Sequence, residues 1–331
     1  MRRPALLLVG AVVLVASVGA AVPAGAPQAA GPAAIAKGRW VITDLGTLGR
    51  AYRDSAASAI NERGQIVGGS GTASGKQHAF LRQNGKMADL GTLGGRDSGA
   101  LAINELGQVV GSSSTASGKQ HAFLWQNGKM TDLGTLGPGY TVSSAVAING
   151  RGQVVGTSFT ATVTQTGQHG HAFLWQSGKM TDLGTLGRTY TDSSAVAING
   201  RGQIVGTSAT GDGGIGKRHL VLWWNGKITD LGTLGGGFDE AVAINEHGQV
   251  IGNSVPSGGA VVHAFVWQNG KITDLGTLGG QESDASAINE RDQIVGVSNT
   301  RSGTRHAVLW TPRRSTWQSL ARTHRTTSRS F

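Results

Sequence analysis

The stretch HAFLWQNGKMTDLGTLG, His121–Gly137, decides the fold, because edited copies of it recur five more times along the chain. The aspartate of its DLGTLG segment returns at intervals of 45, 43, 50, 48 and 44 residues. The six positions are Asp44, Asp89, Asp132, Asp182, Asp230 and Asp274. A period between about 40 and 50 residues is typical of four-stranded propeller blades. The sequence therefore predicts six similar structural repeats.

Each repeat contains four short apolar runs separated by turn residues, and we interpret the runs as four strands. They read AxAIN, GQ(V/I)(V/I)G, HAFLW and K(M/I)TDL. The third and fourth runs are joined by Asn-Gly, as at Asn127 and Gly128, which is the strongest short hairpin signal because both residues tolerate positive φ. A parallel β-helix has no use for two-residue hairpins and is rejected. We predict an all-β fold, a six-bladed β-propeller of four-stranded antiparallel blades, because such sheets need a neighbour on each face.

The chain is predicted to contain four segments. Residues 1–26 have the layout of a secretory signal peptide, in which two arginines precede an apolar run and small residues. The alternative is an uncleaved anchor, but a membrane span needs about 20 apolar residues and this run is half that length. A linker over 27–39, the propeller over 40–320 and a basic disordered tail over 321–331 follow.

Closure of a ring of blades would require the two ends of the repeat region to meet. The segment WVITDL, Trp40–Leu45, copies the fourth strand ahead of the first repeat, and the last repeat ends in a degraded copy, TWQSL, Thr316–Leu320. We expect the first segment either to complete the last sheet or to lie beside its fourth strand.

The net charge of +10 is concentrated at the ends of the chain. Between Trp40 and Pro312 there are 20 Lys and Arg against 19 Asp and Glu. A nucleic-acid binder is expected to carry a basic stripe on its folded body, so nucleic acid is not an expected partner. The five arginines after Pro312 are assigned to a solvated tail, the alternative being attraction to an anionic cell envelope. The absence of cysteine excludes a disulfide framework and thiolate metal sites.

The combination of HAFLWQNGKMTDLGTLG with AINxxGQVVG resembles the bacterial HAF repeat, a family of extracellular repeat proteins named for that tripeptide. The resemblance covers residues 40 to 312, although the copies beginning at His219 and His306 depart from the tripeptide. It implies a secreted, propeller-like repeat protein and brings with it no enzyme activity and no catalytic residue. We therefore expect the chain not to be an enzyme.

The recurring histidine and aspartate are predicted to be structural. Histidines repeated once per blade would lie too far apart to share one zinc ion, whose ligand nitrogens lie about 2.0 to 2.1 Å away. We expect each histidine to form a hydrogen bond within its own blade, as in propellers of the WD type, and each aspartate to accept amide hydrogen bonds from the loop after it. A calcium site would need further carboxylates that the repeat does not supply. No metal and no cofactor are expected.

Candidate ligand-binding residues lie in the loops that vary between repeats. Counting three residues beyond the last glycine of DLGTLG gives an aromatic residue in four repeats, with Asp97 and Glu282 in the others. Carboxylates lie near these aromatics and, with them, would form a platform for a sugar ring or an extended polymer. The candidates are Tyr52, Tyr140, Tyr190, Phe238, Asp192, Asp239 and Glu240. The alternative is that the aromatics only pin loops between sheets.

Taken together, these patterns favour a secreted or cell-envelope-associated, non-enzymatic, monomeric protein that binds an extracellular glycan or another protein, with no membrane span after signal cleavage. One alternative is a glycan-cleaving enzyme that uses Asp192, Asp239 and Glu240, which requires two carboxyl groups about 5 to 10 Å apart. A purely structural envelope protein is the other alternative.

Overall fold

A computed structural model describes residues 43–49, 54–164, 167–187, 192–210 and 218–312, and all of the regular structure there is β-strand. In this part of the chain no helix has the length and apolar character needed to cross a membrane. The predicted signal peptide, linker and basic tail, together with Thr316–Leu320, lie outside the described residues.

The strands fall into six sheets, which we call blades 1 to 6 in chain order. Blades 1 to 3 consist of β1 (Ser55–Ile60), β2 (Ile66–Gly71), β3 (Gln77–Gln83) and β4 (Lys86–Asp89); β5 (Gly94–Ile103), β6 (Val109–Thr115), β7 (Gln120–Gln126) and β8 (Lys129–Gly134); and β9 (Tyr140–Ile148), β10 (Val154–Thr164), β11 (Gly167–Gln176) and β12 (Lys179–Asp182). Blades 4 to 6 consist of β13 (Ser193–Ile198), β14 (Ile204–Ala209), β15 (Arg218–Trp224) and β16 (Lys227–Gly232); β17 (Gly235–Ile244), β18 (Val250–Pro256), β19 (His263–Gln268) and β20 (Lys271–Asp274); and β21 (Gly279–Ile288), β22 (Ile294–Thr300) and β23 (Arg305–Trp310).

Each blade is an antiparallel meander whose strands lie side by side in chain order. The turns between its first and second strands and between its third and fourth strands therefore lie at one end of the sheet, which we call the turn end. The connection from the second strand to the third, and the entry to the first strand, lie at the opposite end, which we call the loop end. The predicted all-β fold with antiparallel blades of the propeller class is confirmed, and five of the six blades have all four strands.

Blade 6 has three strands within the described part of the chain. Of the segment predicted to supply a closing strand, residues 43–45 lie in no strand and residues 40–42 lie outside the described residues. That prediction of closure stays a prediction.

The chain divides into two compact units, Met1–Leu133 with Ser144–Val146 and Gly134–Ser143 with Ala147–Phe331. Blades 1 and 2 lie in the first unit, and blades 4 to 6 with most of blade 3 lie in the second. Each unit has its own apolar core, in which the phenylalanine of the HAF tripeptide is fully buried. Examples are Phe123 in the first unit and Phe265 in the second, both 0% exposed.

The hairpin between the third and fourth strands has the conformation that the Asn-Gly pairs predict. The first residue of this turn has φ between 49° and 52° in every blade that has a fourth strand, including Ser177 at 51°. In the first hairpin of blade 6, where the other repeats have glycine, Asp292 has a φ of 61°. Left-handed φ values favour Gly and Asn, and Asp tolerates them better than most residues do.

The glycine that ends the motif GQ(V/I)(V/I)G is required by close packing. In blade 4 a Cβ on Gly206 would lie 2.0 Å from the carbonyl oxygen of Ser194 on the neighbouring strand. The first strand bulges here, with a register shift between Ala195 and Ala197. The bulge brings the carbonyl towards the second strand, and no side chain fits between them.

The asparagine of AIN links successive blades at the turn end. In the second unit Asn199 donates from Nδ2 to Gln203 Oε1 at 2.8 Å and to the backbone oxygen of Asn245, in the next blade, at 3.0 Å. Its Oδ1 accepts from the N–H groups of Arg201 and Gln203 at 3.1 and 3.0 Å. The same inter-blade bond joins Asn149 to Asn199 at 3.0 Å and Asn245 to the next asparagine at 3.3 Å. We call this series the asparagine ladder.

Candidate functional site

A histidine–aspartate pair closes the loop end of each blade that has a fourth strand. The histidine lies in the third strand and the aspartate in the fourth, and Nδ1 lies 2.7 or 2.8 Å from the nearer carboxylate oxygen. The pairs are His78–Asp89, His121–Asp132, His171–Asp182, His219–Asp230 and His263–Asp274. The predicted hydrogen bond of the histidine within its own blade is confirmed in these five blades.

The same aspartates brace the loops that follow them. Asp182 Oδ1 accepts a hydrogen bond of 2.8 Å from the N–H of Gly184, and Asp274 Oδ1 accepts one of 2.7 Å from Gly276. Burial acts to raise the pKa of the Asp182 carboxyl, but the hydrogen bonds from His171 and Gly184, with the charge of His171, outweigh it and hold that pKa below its ordinary value. The predicted loop-bracing role is therefore also confirmed. Among the described residues, no three His, Cys, Asp or Glu side chains are grouped so as to hold a metal ion.

Tyr140 is the one sequence-predicted aromatic whose side chain the structure describes, since Tyr52, Tyr190 and the side chain of Phe238 lie outside the described residues. Its ring meets the ring of His171 edge to face, with 5.7 Å between centroids and 61° between planes. Burial raises the pKa of Tyr140, and the nearby charges of Asp182 and Asp192 raise it further. The ring is partly exposed at the loop end of blade 3.

Asp192, another predicted ligand residue, clamps blade 4 to blade 3. Its Oδ1 lies 3.0 Å from His169 Nδ1 and accepts a 3.1 Å hydrogen bond from the N–H of Gly170. In the first unit Asp97 has the same role, because it accepts a 3.0 Å hydrogen bond from the N–H of Gln77. Asp192 is thus a structural residue that also lies close enough to Tyr140 to act on its ionisation.

The aromatic register predicted from the sequence does not correspond to one structural position. Tyr140 lies nine residues before the asparagine of its own AIN motif, whereas Asp97 and Phe238 lie seven residues before theirs. The loops differ by two residues in length, and in blade 2 the first strand begins at the last glycine of DLGTLG. Asp97 is therefore the structural equivalent of Asp192 and not of Tyr140.

Asp239 is a buried carboxylate, 7% exposed, at a position where the other five repeats have serine. It lies opposite Ser254 on the neighbouring strand, and the hydroxyl of Ser254 donates to Asp239 Oδ1 at 2.5 Å. Burial raises the pKa of Asp239, the Ser254 hydrogen bond and the charge of His219 act to lower it, and the charge of Asp230 raises it. The serines at this position are Ser55, Ser98, Ser143, Ser193 and Ser283.

Glu240 follows Asp239 on the same strand, so its side chain points to the opposite face of the sheet. Burial raises the pKa of Glu240, and the charge of Asp284 in blade 6 adds to that rise. Asp284 is itself paired with Arg305. Asp192 contacts blade 3, the charge of His219 influences the pKa of Asp239, and the charge of Asp284 influences the pKa of Glu240. The three predicted acids therefore have different neighbours and do not form one site.

The sequence-based candidates omitted Trp224, which is 47% exposed at the turn end of blade 4. It directly follows the recurring tryptophan, Trp223, which is 2% exposed and whose Nε1 has no hydrogen-bond partner in the described structure. The signal was present in the sequence, since blade 4 reads HLVLWW where the other blades with an Asn-Gly or Ser-Gly hairpin read Gln in place of the second tryptophan.

No family model matches the chain, and no curated protein matches it. Solved structures with similar folds include acylaminoacyl peptidase from Pyrococcus horikoshii, with 12% identity, 82% of this chain and 46% of that chain covered, and a TM-score of 0.48. TolB from Acinetobacter baumannii has 12% identity, covers 74% and 63% of the two chains and has a TM-score of 0.41. Oligogalacturonate lyase from Vibrio parahaemolyticus has 8% identity, coverages of 80% and 81%, and a TM-score of 0.49.

The chain spans about half the length of the acylaminoacyl peptidase and 63% of TolB. The likenesses concern the fold alone and assign no reaction to this chain. They nevertheless correct the expectation that the chain is not an enzyme, because oligogalacturonate lyase and acylaminoacyl peptidase are enzymes.

Proposed function

We propose that this protein binds an extracellular polymer, a glycan or a protein segment, at the loop end of blades 3 and 4 around Tyr140. The observation that carries the proposal is the contact between Tyr140 and His171, which holds a partly exposed aromatic ring in a fixed orientation. The predicted signal peptide over residues 1–26 supports a location outside the cytoplasm.

The surroundings of Tyr140 suit a ligand rich in hydroxyl or amino groups. The carboxylates of Asp182 and Asp192 lie close to the ring, with 43% and 20% of their side chains exposed. Both are held by hydrogen bonds from histidine and glycine, so little side-chain entropy remains to be lost when a ligand binds. An aromatic ring flanked by fixed acceptors is the usual composition of a small polar-ligand site.

The charge at this end disfavours an acidic ligand. Within the described part of the second unit, the loop end carries eight acidic residues and three basic ones. The acids are Asp182, Asp192, Asp230, Asp239, Glu240, Asp274, Glu282 and Asp284; the bases are Arg218, Arg301 and Arg305. A neutral or amino-bearing polymer is therefore the expected ligand class.

A polymer array that contains neutral, amino-bearing and acidic glycans tests the proposal. We expect Tyr140→Ala to weaken binding of the best neutral or amino-bearing ligand about tenfold, as for an aromatic residue at the centre of a binding site, and Tyr140→Phe to retain it. Unchanged binding by Tyr140→Ala, or equal losses in both variants, would contradict the role of the ring.

A second candidate function is acid–base cleavage of a polymer beside Asp239, favoured by one observation. Asp239 is a buried carboxyl of raised pKa beside the His219–Asp230 pair, in the one repeat that lacks serine at this position. Asp239→Asn should then abolish release of reducing ends from a susceptible glycan, while Glu240→Gln, on the opposite face of the strand, should not. Activity that survives Asp239→Asn would eliminate this candidate.

A further inference from the structure

The near-neutral charge of the folded body conceals a separation of charge within the second unit. At the turn end, the described residues include six basic and three acidic side chains, the reverse of the excess at the loop end. The bases are Arg151, Lys179, Arg201, Lys227, Lys271 and Arg291; the acids are Glu246, Glu290 and Asp292. Each of the three lysines directly follows the glycine of its hairpin and is exposed.

Hydrogen bonds make these turns one continuous surface. The asparagine ladder ties the first turns of blades 3 to 6 to one another, as in the 3.0 Å bond from Asn199 to Asn245. Within blade 3 the two turns are tied together by a 2.9 Å bond from Gln153 Nε2 to Gln176 Oε1. Sheets that pack face to face lie about 10 Å apart, so hairpin lysines on successive blades are expected to repeat at that spacing or wider, along the path of one extended polymer.

The acidic residues at the turn end are already engaged by the protein. Glu246 Oε1 accepts a 2.6 Å hydrogen bond from the N–H of Gly200, and Glu290 accepts one of 3.1 Å from the N–H of Glu246. Asp292 Oδ1 lies 2.8 Å from His247 Nδ1. By contrast, none of the six basic side chains of this surface forms a salt bridge with any described residue.

Trp224 adds an aromatic ring to this basic surface. It lies opposite Lys227 across the blade 4 hairpin, and 47% of it is exposed. In the other complete blades the same position is glutamine, as at Gln176 and Gln268, which pair in the same way with Lys179 and Lys271. The tryptophan is therefore specific to blade 4 and is not demanded by the fold of a blade.

We propose that the turn end of the second unit binds an anionic polysaccharide, with a sugar ring on Trp224 and its acidic groups on the lysines of neighbouring hairpins. The apolar face of a sugar packs on an exposed indole, and Lys227 lies directly across the hairpin to meet a carboxylate on that sugar. Lys179 and Lys271, one blade to either side, engage the polymer further along. This surface is separate from the loop end, so the described part of the second unit has two ends of opposite charge.

The same chemistry could serve a single-stranded nucleic acid, but the observations favour a glycan. Proteins that bind single strands stack successive bases on several aromatic side chains in a strongly basic groove. Among the described residues of this surface, one tryptophan is exposed and three acidic residues lie among six basic ones. A carbohydrate requires only one stacking residue and a few cations.

The test measures binding of the full chain to sodium polygalacturonate, a linear polymer with one carboxylate per sugar. Its fully methyl-esterified form serves as a neutral control. We expect saturable binding of the acidic form that weakens as salt is raised, because exposed charges are screened beyond about 8 to 10 Å at physiological ionic strength. Equal binding of the esterified polymer would overturn the role of charge, and tighter binding of single-stranded DNA would replace the glycan with a nucleic acid.

Trp224→Gln is the decisive variant, because it installs the residue that the other complete blades have and so preserves the hairpin. We expect Trp224→Gln to weaken polygalacturonate binding at least about tenfold. Trp224→Phe, which keeps an aromatic ring, should retain most of the affinity of the native chain. A triple variant replaces the three hairpin lysines by glutamine: Lys179→Gln, Lys227→Gln and Lys271→Gln. It should bind about tenfold or more weakly, and its affinity should change less with salt concentration. If Trp224→Gln and the triple variant both bind as the native chain does, the proposal is wrong.

Two controls separate this face from the loop end. Arg218→Gln removes the same charge at the loop end of blade 4 and should leave polygalacturonate binding unchanged. Tyr140→Ala should likewise leave it unchanged even if it abolishes binding of a neutral ligand, so failure of one proposal is distinguishable from failure of the other. Loss of polygalacturonate binding in Arg218→Gln would move the site to the loop end and overturn the proposal.

Discussion

Replacing Asn199 by alanine is expected to be among the most destabilising changes of a polar residue in this protein. The side chain is 4% exposed and takes part in four hydrogen bonds of 2.8 to 3.1 Å, two as donor and two as acceptor. Three of them hold the turn of blade 4, and the fourth reaches the backbone of Asn245 in blade 5. The alanine variant therefore loses support for its own turn and one rung of the asparagine ladder.

The magnitude follows from the bonds themselves. A hydrogen bond in a folded protein contributes a net 0.5 to 1.5 kcal/mol, and buried partners left unsatisfied cost more. For four bonds at a buried position the expected loss in free energy of unfolding is about 4 kcal/mol. This is a large part of the 5 to 15 kcal/mol that stabilises a typical domain.

Asn289 is the matched control because it makes the same bonds within its turn but is exposed. Its Nδ2 donates to Gln293 Oε1 at 3.0 Å, and its Oδ1 accepts from Arg291 and Gln293 at 2.9 and 3.1 Å. Water can replace these bonds, so Asn289→Ala should cost about 1 kcal/mol. Urea unfolding followed by tryptophan fluorescence and by circular dichroism measures both variants. Equal losses at Asn199 and Asn289, or a loss below about 1 kcal/mol at Asn199, would refute the reasoning.

Three further outcomes are expected. Gly206→Ala should destabilise by about 2 kcal/mol in thermal melts, because its Cβ would lie 2.0 Å from a backbone oxygen of β13, whereas Gly150→Ala, with no heavy atom near its Cβ, should be close to neutral. Asp239→Ser should stabilise the protein by about 1 kcal/mol at pH 7. Because the folded-state pKa of Asp239 is raised, this carboxyl costs stability when it is ionised and not when it is protonated, so the gain should vanish near about pH 3. A gain that does not depend on pH would contradict the assignment. His171→Ala should lower the free energy of unfolding by about 1 kcal/mol at pH 7. Because the pKa of its partner Asp182 is lowered, this loss of stability should shrink as the pH falls below the ordinary aspartate pKa of about 4. A loss of stability that grows with acidity would contradict this reasoning.

Much of the fold could be predicted because its determinants are local. The Asn-Gly hairpins, the alternation of HAFLW and the recurrence of Asp182 and its counterparts each specify a structure within one blade, and each signal occurs in at least four repeats. The pairing of His171 with Asp182 could be predicted for the same reason, because the two residues lie at the same end of adjacent strands. The inter-blade hydrogen bond of Asn199 could not be predicted from the sequence, because its acceptor is a backbone oxygen of the next blade.

The candidate site was harder to predict because the loops have two lengths. Counting from the last glycine of DLGTLG places Tyr140 and Asp97 at one position, whereas counting back from AIN separates them by two residues. The second count is the structural one, because the first strand pairs with its neighbour and the loop absorbs the difference. The raised pKa values of Asp239 and Glu240 depend on burial between sheets, and no local pattern in the sequence encodes that burial.

The expectation that the chain is not an enzyme failed for a related reason. Catalytic groups in a repeat fold come together from different blades, so the absence of a linear motif says little about the chemistry of the surface. In a repeat protein, each residue can be compared with the residues at the same position of the other repeats. Asp239, where the other repeats have serine, and Trp224, where the other complete blades have glutamine, depart from the other repeats in this comparison.

Neither departure improves the blade that contains it, since one buries a carboxylate of raised pKa and the other exposes an indole to water. A fold that repeats one solution six times has no structural need for either residue. Their presence at opposite ends of neighbouring blades is the reason for proposing a separate site at each end. The two ends should then respond separately to Asp239→Asn and Trp224→Gln.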